Sequence, residues 1–369
     1  MNNEKINEIE VLEIKFENQK VGRLALTPDN LCAFEYDSEY LQTGISISPF
    51  FLPLNSGVFV AKREPFNGNF GVFADSLPDG WGNLLLDRYL TEKGINPYHL
   101  SALQRLSLIG TSGRGALEYF PNNNFIDNNN FVELNKLASE VEKILNANYS
   151  ENSLDLLYKY AGSSGGARPK VFIKIDDDEW LIKFRSSIDP INIGEIEYKY
   201  SILAKNCGIE MPETKLFEEK YFGVKRFDRI GNKKFHIISA AGLLNANYRI
   251  PSLDYSILLT ACFKLTKNIE EVYKLFRLMV FNVFVKNKDD HAKNFSFILR
   301  NNEWFLSPAY DLLPSEGFNG NHTMTINGKG NPNTEDIFIV ATQIGLEKKR
   351  VQNIYDEIKE KTQNYNENC

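Results

Sequence analysis

The sequence predicts an α+β protein with two lobes, in which a β-rich N-terminal subdomain and an α/β lobe precede an all-helical C-terminal lobe. Three observations predict this class. Residues 11–60 alternate apolar and polar side chains between turn residues, which is typical of half-buried strands. Two more strand-like runs, 170–175 and 180–185, precede a helical pattern over 195–205. From residue 268 onward, apolar side chains recur at helical spacing.

The remaining elements follow in chain order. Helical patterns cover 81–90, 98–108, 133–145 and 153–160, and the helix over 195–205 ends before Gly208. A strand over 221–227 is followed by a pattern that becomes helical after His236. The clearest helix begins at Asn268, a good N-cap with Glu271 three residues on, and continues to residue 285. A hairpin over 295–306 turns at Asn301 and Asn302, and helices over 336–343 and 347–364 end the chain.

The length and these pattern changes suggest three segments. A chain of 369 residues is long enough for two domains or one large two-lobed enzyme. An asparagine-rich polar tract over 122–130 marks the first boundary, and the change after His236 marks the second. We therefore divide the chain into 1–124, 125–235 and 236–369.

The composition excludes several classes of protein. A net charge of −6 argues against a general nucleic-acid binder held by phosphate contacts. The N-terminus lacks the basic start and apolar run of a signal peptide, and the apolar stretch 275–285 is too short to span a bilayer. The four cysteines are scattered with no C-x-x-C pair, so we expect a cytoplasmic protein without zinc.

The most informative stretch is 287–294, NKDDHAKN. Asp289 and Asn294 have the D-x-x-x-x-N spacing of a protein-kinase catalytic loop, and Asp311 lies where such loops have a metal-binding Asp beyond them. One carboxylate must face the attacking hydroxyl, while an amide oxygen and a second carboxylate bind Mg²⁺. The predicted hairpin would return Asp311 to Asn294. The D-x-x-x-x-N motif is weak alone, and the hairpin and third oxygen ligand make it specific.

A lysine in the second of the paired strands is the candidate for phosphate binding. Lys183 lies mid-strand between apolar residues, where a charge is either solvated or paired in a cleft. A helix with Glu195 and Glu197 follows, which matches the kinase arrangement of a strand lysine and a helix glutamate. We expect Lys183 to bind the α- and β-phosphates and Glu197 to orient it. Lys174, the competing candidate, fits a solvated strand face better.

A glycine-rich loop over 162–170, GSSGGARPK, precedes these strands. Glycine permits positive φ and lets backbone N–H groups approach phosphate oxygens closely, although the loop does not match Walker A. A second glycine cluster, 110–115, has no strand and helix after it and predicts a turn. We interpret the first loop as a phosphate cradle, with the candidate residues Ser163, Ser164, Gly165, Gly166 and Ala167.

Together these elements resemble the HipA family of bacterial serine/threonine kinases, the toxins of HipA–HipB toxin–antitoxin systems. The resemblance covers nearly the whole chain. Besides the catalytic stretch, it is carried by GRL at 22–24, FEYD at 34–37, DSLPDGWG at 75–82, SSGGARPK at 163–170, EY at 197–198, LAK at 203–205, KRFDR at 225–229 and YD at 310–311.

The resemblance implies a role for each site residue. Asp289 would be the catalytic base, Asn294 and Asp311 the Mg²⁺ ligands, and Lys183 the lysine that binds the ATP phosphates. A histidine in the catalytic loop is expected first of all to fix that loop by hydrogen bonding. The other nucleotide-binding candidates that the resemblance implies are Lys225, Phe227 and His291.

The resemblance also implies regulation and partners. Ser163 or Ser164 would be autophosphorylated, and the added charge would occupy the place of the ATP phosphates, expel the loop and lower activity. The implied substrate class is an aminoacyl-tRNA synthetase, of which glutamyl-tRNA synthetase is the best-known case. The implied partner is a HipB-like helix-turn-helix antitoxin, through which this acidic chain would reach DNA. No membrane contact is expected.

The long polar loop over 315–334 has two interpretations. It is placed like an activation segment, in which case His322 would contact the substrate, or it is a surface loop without a function of its own.

Two positions of this sequence depart from the family pattern. Lys288 stands where the family often has threonine, and Arg168-Pro169 stands where other members have Gln-Glu.

Two other functions stay open. The first alternative is a small-molecule kinase of the aminoglycoside-phosphotransferase type, which the N-terminal subdomain and the double serine disfavour. The second is a non-catalytic ATP-binding regulatory subunit, which the retention of all four kinase-type residues disfavours.

Overall fold

The computed structural model describes residues 6–124, 133–161 and 165–367. The strands are β1 (Val11–Phe16), β2 (Gln19–Leu26), β3 (Cys32–Tyr36), β4 (Val58–Val60), β5 (Glu118–Phe120), β6 (Lys170–Ile175), β7 (Asp178–Lys183), β8 (Thr214–Phe217), β9 (Tyr221–Lys225), β10 (Arg229–Ile230), β11 (Lys233–Lys234), β12 (Ile237–Ser239), β13 (Ser296–Arg300) and β14 (Glu303–Leu306). The helices are α1 (Tyr40–Thr43), α2 (Gly71–Ala74), α3 (Gly80–Glu92), α4 (Ala102–Ile109), α5 (Leu134–Leu145), α6 (Glu151–Ala161), α7 (Ile193–Asn206), α8 (Ala240–Leu244), α9 (Tyr255–Thr266), α10 (Ile269–Phe284), α11 (Thr334–Gln343) and α12 (Lys348–Glu367).

The chain folds into two compact units. The N-terminal unit comprises Met1–Glu195 and Lys215–His236, and the C-terminal unit comprises Ile196–Thr214 and Ile237–Cys369. Of the described helices, none is both long and apolar enough to cross a bilayer.

The first sheet of the N-terminal unit confirms the alternation seen over residues 11–60. Its strands are ordered β4-β3-β2-β1-β5, and every pairing is antiparallel. Leu12 and Ile14 on β1 are fully buried, whereas Val11 is half exposed. Leu24 and Phe34 continue the buried face on the neighbouring strands. The period of two in the sequence therefore corresponds to one buried and one exposed face.

The second sheet shares its core with helices from both sides of the Asn-rich tract. Its order is β6-β7-β9-β8, and β6 pairs with β7 from Lys170↔Lys183 to Ile175↔Asp178. Helices α3, α5 and α6 pack against β6, β7 and β9 through a common apolar cluster that includes Trp81, Leu137 and Ile182. The predicted boundary at 124/125 thus separates two segments of one compact unit.

A buried charge cluster joins the end of β9 to the 110–115 turn. Asp228 lies between two guanidinium groups, at 2.7 Å from Arg226 Nη2 and 2.9 Å from Arg229 Nη1. Arg229 also donates to the carbonyls of Gly113 and Gly115, at 2.7 Å each. Burial alone would raise the pKa of Asp228, but the two arginine charges outweigh burial and hold that pKa well below its usual value. The predicted turn is therefore also the acceptor of a buried arginine.

The C-terminal unit is mainly helical, but it also contains the three-stranded sheet β12-β13-β14. The prediction of an all-helical lobe omits this sheet, and the prediction of helix directly after His236 is wrong for β12. That strand pairs with β13 from Ile237↔Ile298 to Ser239↔Ser296. Three residues are too few to show a period, and they are extended because β13 supplies a partner.

Helix α10 ends shortly before the candidate catalytic stretch 287–294, and it begins as predicted. The Asn268 side chain accepts a hydrogen bond from the Glu270 N–H at 2.9 Å. Glu271, expected near the cap, instead accepts the N–H of Leu306 at 2.8 Å and pairs with Lys274 at 2.9 Å. It is buried, so its carboxylate ties the end of β14 to α10.

The charge cluster around Asp228 gives a stability prediction. The change Asp228→Asn removes the carboxylate that Arg229 and Arg226 share and leaves Arg226 with its ion pair to Glu179 at 3.0 Å. We expect it to lower the free energy of unfolding by about 3 kcal/mol. Because the folded pKa is depressed, the stabilisation is complete above the unfolded pKa of about 4 and is lost as the pH falls below it. Urea unfolding at neutral pH and below about pH 4 measures both effects.

The matched control is Glu35→Gln, which removes an exposed ion pair with Arg23 at 3.1 Å. Exposed pairs contribute little, so this variant should unfold like the wild type. Equal losses for the two variants, or a loss at Asp228 that does not shrink in acid, would contradict the interpretation.

Candidate active site

The candidate catalytic loop is fixed at its entry by Ser315. Lys286, at φ +56°, ends the helical run, and its carbonyl accepts the N–H of Ser315 at 3.0 Å. Ser315 Oγ in turn accepts the N–H of Asp289 at 2.7 Å. The Asp289 backbone is thereby held from outside the loop, while its side chain is exposed.

Asn294 closes the loop onto Asp289. Its Nδ2 donates to the Asp289 carbonyl at 2.7 Å, so the amide oxygen is the group left to bind a cation. The short 3₁₀ turn Ala292–Asn294 is capped by His291, whose Nδ1 accepts the Lys293 N–H at 3.3 Å. This bond is the loop-fixing role expected of His291, and its contact with a nucleotide stays a prediction.

The hairpin after the loop is formed as predicted. Strands β13 and β14 pair up to Arg300↔Glu303, which leaves Asn301 and Asn302 as the turn. Both asparagines have positive φ, at +49° and +67°, as a two-residue type I′ turn requires.

The hairpin brings its two ends together, as predicted. The Tyr310 hydroxyl donates to the Lys293 carbonyl at 2.8 Å, next to Asn294 in the chain. Asn287 Nδ2 lies 3.4 Å from the carbonyl oxygen of Asp311.

Asp311 itself has φ +60°, a region that non-glycine residues rarely adopt. A carboxylate and an amide oxygen are hard ligands that suit Mg²⁺, which takes its remaining ligands from water and phosphate.

The neighbouring Asp290 is a buried acceptor for four donors. Its Oδ1 accepts the N–H groups of Thr323 at 2.9 Å and Met324 at 3.3 Å. Its Oδ2 accepts the Tyr255 hydroxyl at 2.8 Å and lies 2.9 Å from His322 Nδ1. Burial, followed by the charge of Asp290, raises the pKa of Tyr255 well above its usual value, so this hydroxyl stays protonated and donates.

Two of these findings go beyond the sequence analysis. His322, a candidate for substrate contact, is buried against Asp290, and its contact with a substrate stays a prediction. Asp290 received no role, although the consecutive Asp289 and Asp290 were a signal. Once Asp290 is buried, its charge requires hydrogen-bond partners, and the four donors supply them.

The network continues from Asp290 into the helices. The Tyr255 hydroxyl accepts from Asn282 Nδ2 at 3.1 Å, and Asn282 Oδ1 accepts from Asn287 Nδ2 at 3.1 Å. Asn287 is the residue that also reaches the Asp311 carbonyl. One chain of hydrogen bonds therefore joins helices α9 and α10, the candidate catalytic loop and the Asp311 backbone.

In the N-terminal unit, two buried lysines occupy the same face of the second sheet. Lys183 and Lys170 are 8% and 6% exposed and are cross-strand partners, so their side chains leave the sheet on one side. Lys170 Nζ donates to the Gly165 carbonyl at 2.5 Å, and Lys183 Nζ lies 5.7 Å from the centroid of the Phe222 ring. Two ammonium groups on one side of a sheet suit the binding of a phosphate, and this role stays a prediction. The sequence analysis missed Lys170, whose signal is its register opposite Lys183.

The competing lysine, Lys174, is solvated as expected. It lies on the same strand as Lys170, its side chain is 61% exposed, and it pairs with Asp177 at a distance of 3.7 Å. Such an ion pair at the surface contributes little to the stability of the fold.

The described part of the glycine-rich loop begins at Gly165. Gly166 has φ +82°, which a side chain would strain, and Ala167 follows it. Arg168 Nε lies 3.0 and 3.1 Å from the two carboxylate oxygens of the buried Asp189. Ser163 and Ser164, the predicted phosphorylation sites, lie outside the described residues.

The other nucleotide-binding candidates are placed as follows. Glu197 is buried in α7. The Lys225 ammonium pairs with Asp178 at 2.6 Å, and Phe227 is half-buried shortly after β9. Their roles stay predictions.

The donors around Asp290 predict an unequal response from two adjacent aspartates. In Asp290→Asn, one of the two side-chain oxygens becomes an NH₂ group that faces two donors. We expect the free energy of unfolding to fall by about 3 kcal/mol. The matched control is the same change at the exposed Asp289, which should cost clearly less stability. Urea unfolding of the two variants measures the difference, and similar losses at both positions would contradict the burial argument.

Comparison with known proteins agrees with this geometry. Residues 12–120 match the family model of the HipA N-terminal domain, and residues 162–365 match that of the HipA-like C-terminal domain. A Sinorhizobium fredii (strain NBRC 101917 / NGR234) protein named "Putative kinase Y4dM" is 23% identical over 334 residues, covering 83% of this chain and 77% of that protein.

A solved structure matches over nearly the whole chain. A chain of the Shewanella oneidensis MR-1 toxin–antitoxin complex of HipA, HipB and operator DNA superimposes with a TM-score of 0.71 at 16% identity. The match covers 95% of this chain and 88% of that one, and it confirms the predicted HipA-like, kinase-like fold. Since the C-terminal family model alone spans more than half of the sequence, the chain belongs to the HipA family.

Proposed function

We propose that this protein is an ATP- and Mg²⁺-dependent kinase that phosphorylates a serine or threonine hydroxyl of a protein and acts as a HipA-like toxin. The observation that carries the proposal is the catalytic loop. It presents an exposed Asp289 on a backbone that Ser315 and Asn294 hold at 2.7 Å each. A carboxylate fixed in this way suits a group that must orient and deprotonate an incoming hydroxyl.

Each residue has a defined part in this reaction. Asp289 would accept the proton of the substrate hydroxyl, and the Asn294 amide oxygen and Asp311 carboxylate would hold Mg²⁺. The metal, when bound, neutralises charge on the phosphates. In the N-terminal unit, Lys183 would bind the α- and β-phosphates, with Lys170 beside it. Further contacts would come from Glu197, Gly165, Gly166, Ala167, Lys225, Phe227 and His291.

Membership of the family supports a proposal for the substrate, the partner and the regulation. The substrate would be a protein of translation, of the aminoacyl-tRNA synthetase class, in the cytoplasm. The Shewanella protein is found with HipB and operator DNA, which supports a HipB-like antitoxin as the partner here. Such a partner would supply the DNA contact that a net charge of −6 disfavours for this chain. Autophosphorylation of Ser163 or Ser164 would switch the kinase off by adding charge at the phosphate site.

The first test is phosphotransfer by the full-length protein with Mg²⁺ and labelled ATP, followed by mass-spectrometric mapping. The wild type should label Ser163 or Ser164, and Asp289→Asn should be slower by about 10²- to 10⁴-fold because the proton acceptor is lost. Label that persists in the variant would remove Asp289 from the base role. A wild type that binds ATP but transfers nothing would favour a small-molecule kinase or a regulatory subunit instead.

The second test separates the two strand lysines. Lys183→Ala should weaken ATP binding by about 10- to 100-fold, the usual effect of losing a charged hydrogen bond. Lys174→Ala removes the same charge from an exposed position and should bind ATP like the wild type. Isothermal titration with a non-hydrolysable ATP analogue gives both affinities, and an equal loss for both variants would exclude a specific role for Lys183.

A further inference from the structure

The N-terminus of α3 contacts the described part of the glycine-rich loop. The N–H of Trp81 donates to the carbonyl of Gly166 at 3.0 Å. This N–H lies in the first turn of α3, where backbone donors have no partner within the helix. The loop therefore supplies an acceptor that the helix itself cannot provide.

Gly80 permits this close approach. It has φ +23°, and a Cβ at this position would lie 2.6 Å from the Gly166 carbonyl oxygen and 2.7 Å from Ala167 Cα. Both atoms belong to the loop backbone, so no flexible side chain can move aside. Any other residue at position 80 would require the loop or the helix to move.

The helix is the less movable of the two. Trp81 is 2% exposed and packs in the cluster that joins α3 to α6 and the second sheet. The Asp79 side chain accepts the N–H of Gly80 at 2.9 Å and fixes the start of the helix. A side chain at position 80 would therefore displace the loop.

We propose that Gly80 and the first turn of α3 are a positioning element that holds the glycine-rich loop in place for the nucleotide, an inference that rests on the proposed kinase function. Gly80 touches no substrate and acts through the backbone of Gly166 and Ala167. The segment that matches the HipA N-terminal domain is thereby part of how the ATP site is assembled.

The test compares Gly80→Ala with Gly57→Ala in the full-length protein. Gly57 also has positive φ, at +112°, but no atom lies within 4 Å of the place that an alanine methyl group would take, so it controls for backbone strain without a contact. Hydrogen–deuterium exchange of the ligand-free protein should show the Trp81 amide and peptides over 165–170 exchanging at least tenfold faster in Gly80→Ala. In Gly57→Ala they should exchange as in the wild type.

The kinetic constants KM and kcat distinguish a positioning role of Gly80 from a general loss of folded structure. Gly80→Ala should raise the KM for ATP at least tenfold, with kcat at saturating ATP within threefold of the wild type. Unchanged exchange around Gly166 would overturn the inference, as would faster exchange with an unchanged KM. If the wild type binds no ATP, the proposed function fails, while the exchange comparison still decides whether Gly80 holds the loop.

A second variant covers the case in which Gly80→Ala does not fold. Asp79→Ala loosens the first turn of α3 without adding a clash, because it removes the side-chain acceptor for the Gly80 N–H and adds no atom. It should change exchange and KM in the same direction by a smaller factor. A wild-type exchange pattern and KM in this variant would overturn the inference.

Discussion

The candidate active site in the C-terminal unit depends on the hydrogen bonds of the buried Asp290 carboxylate. Its Oδ1 accepts two backbone N–H groups from the segment after His322. Its Oδ2 faces the Tyr255 hydroxyl of α9 and the His322 ring. Asp290 cannot leave this pocket without leaving all four donors unpaired, so the backbone of the loop is held at this position. The exposed Asp289, the candidate catalytic base, thus follows on a backbone that its buried neighbour helps to hold.

Local features of this fold were predictable because their signals are short-range. Asn301-Asn302 predicted the hairpin turn, since asparagine tolerates the positive φ that both residues adopt. Asn268 predicted the start of α10, where its side chain does accept a first-turn N–H. The Asp289 to Asn294 spacing is also a short-range signal, since a hydrogen bond between these two residues, five apart in the chain, closes the loop.

The features that sequence reasoning missed depend on contacts between distant segments. Strand β12 is extended only because β13 lies beside it, and no pattern in three residues reveals that. Glu271 was placed near a helix cap, yet Leu306 offered a buried N–H that needed an acceptor. The register that puts Lys170 opposite Lys183 becomes visible only once the two-residue turn after Ile175 is known.

The paired lysines of β6 and β7 would make the free energy of unfolding depend on the concentration of a bound nucleotide. Lys170 and Lys183 leave the sheet on the same side, where the phosphates of the proposed nucleotide would meet both ammonium groups. A ligand that binds only the folded form stabilises it by RT ln(1 + [L]/Kd), which is about 2.7 kcal/mol at a hundredfold excess over Kd. With ATP as the ligand of the proposed function, the free energy of unfolding of this protein would rise and fall with the ATP concentration around it.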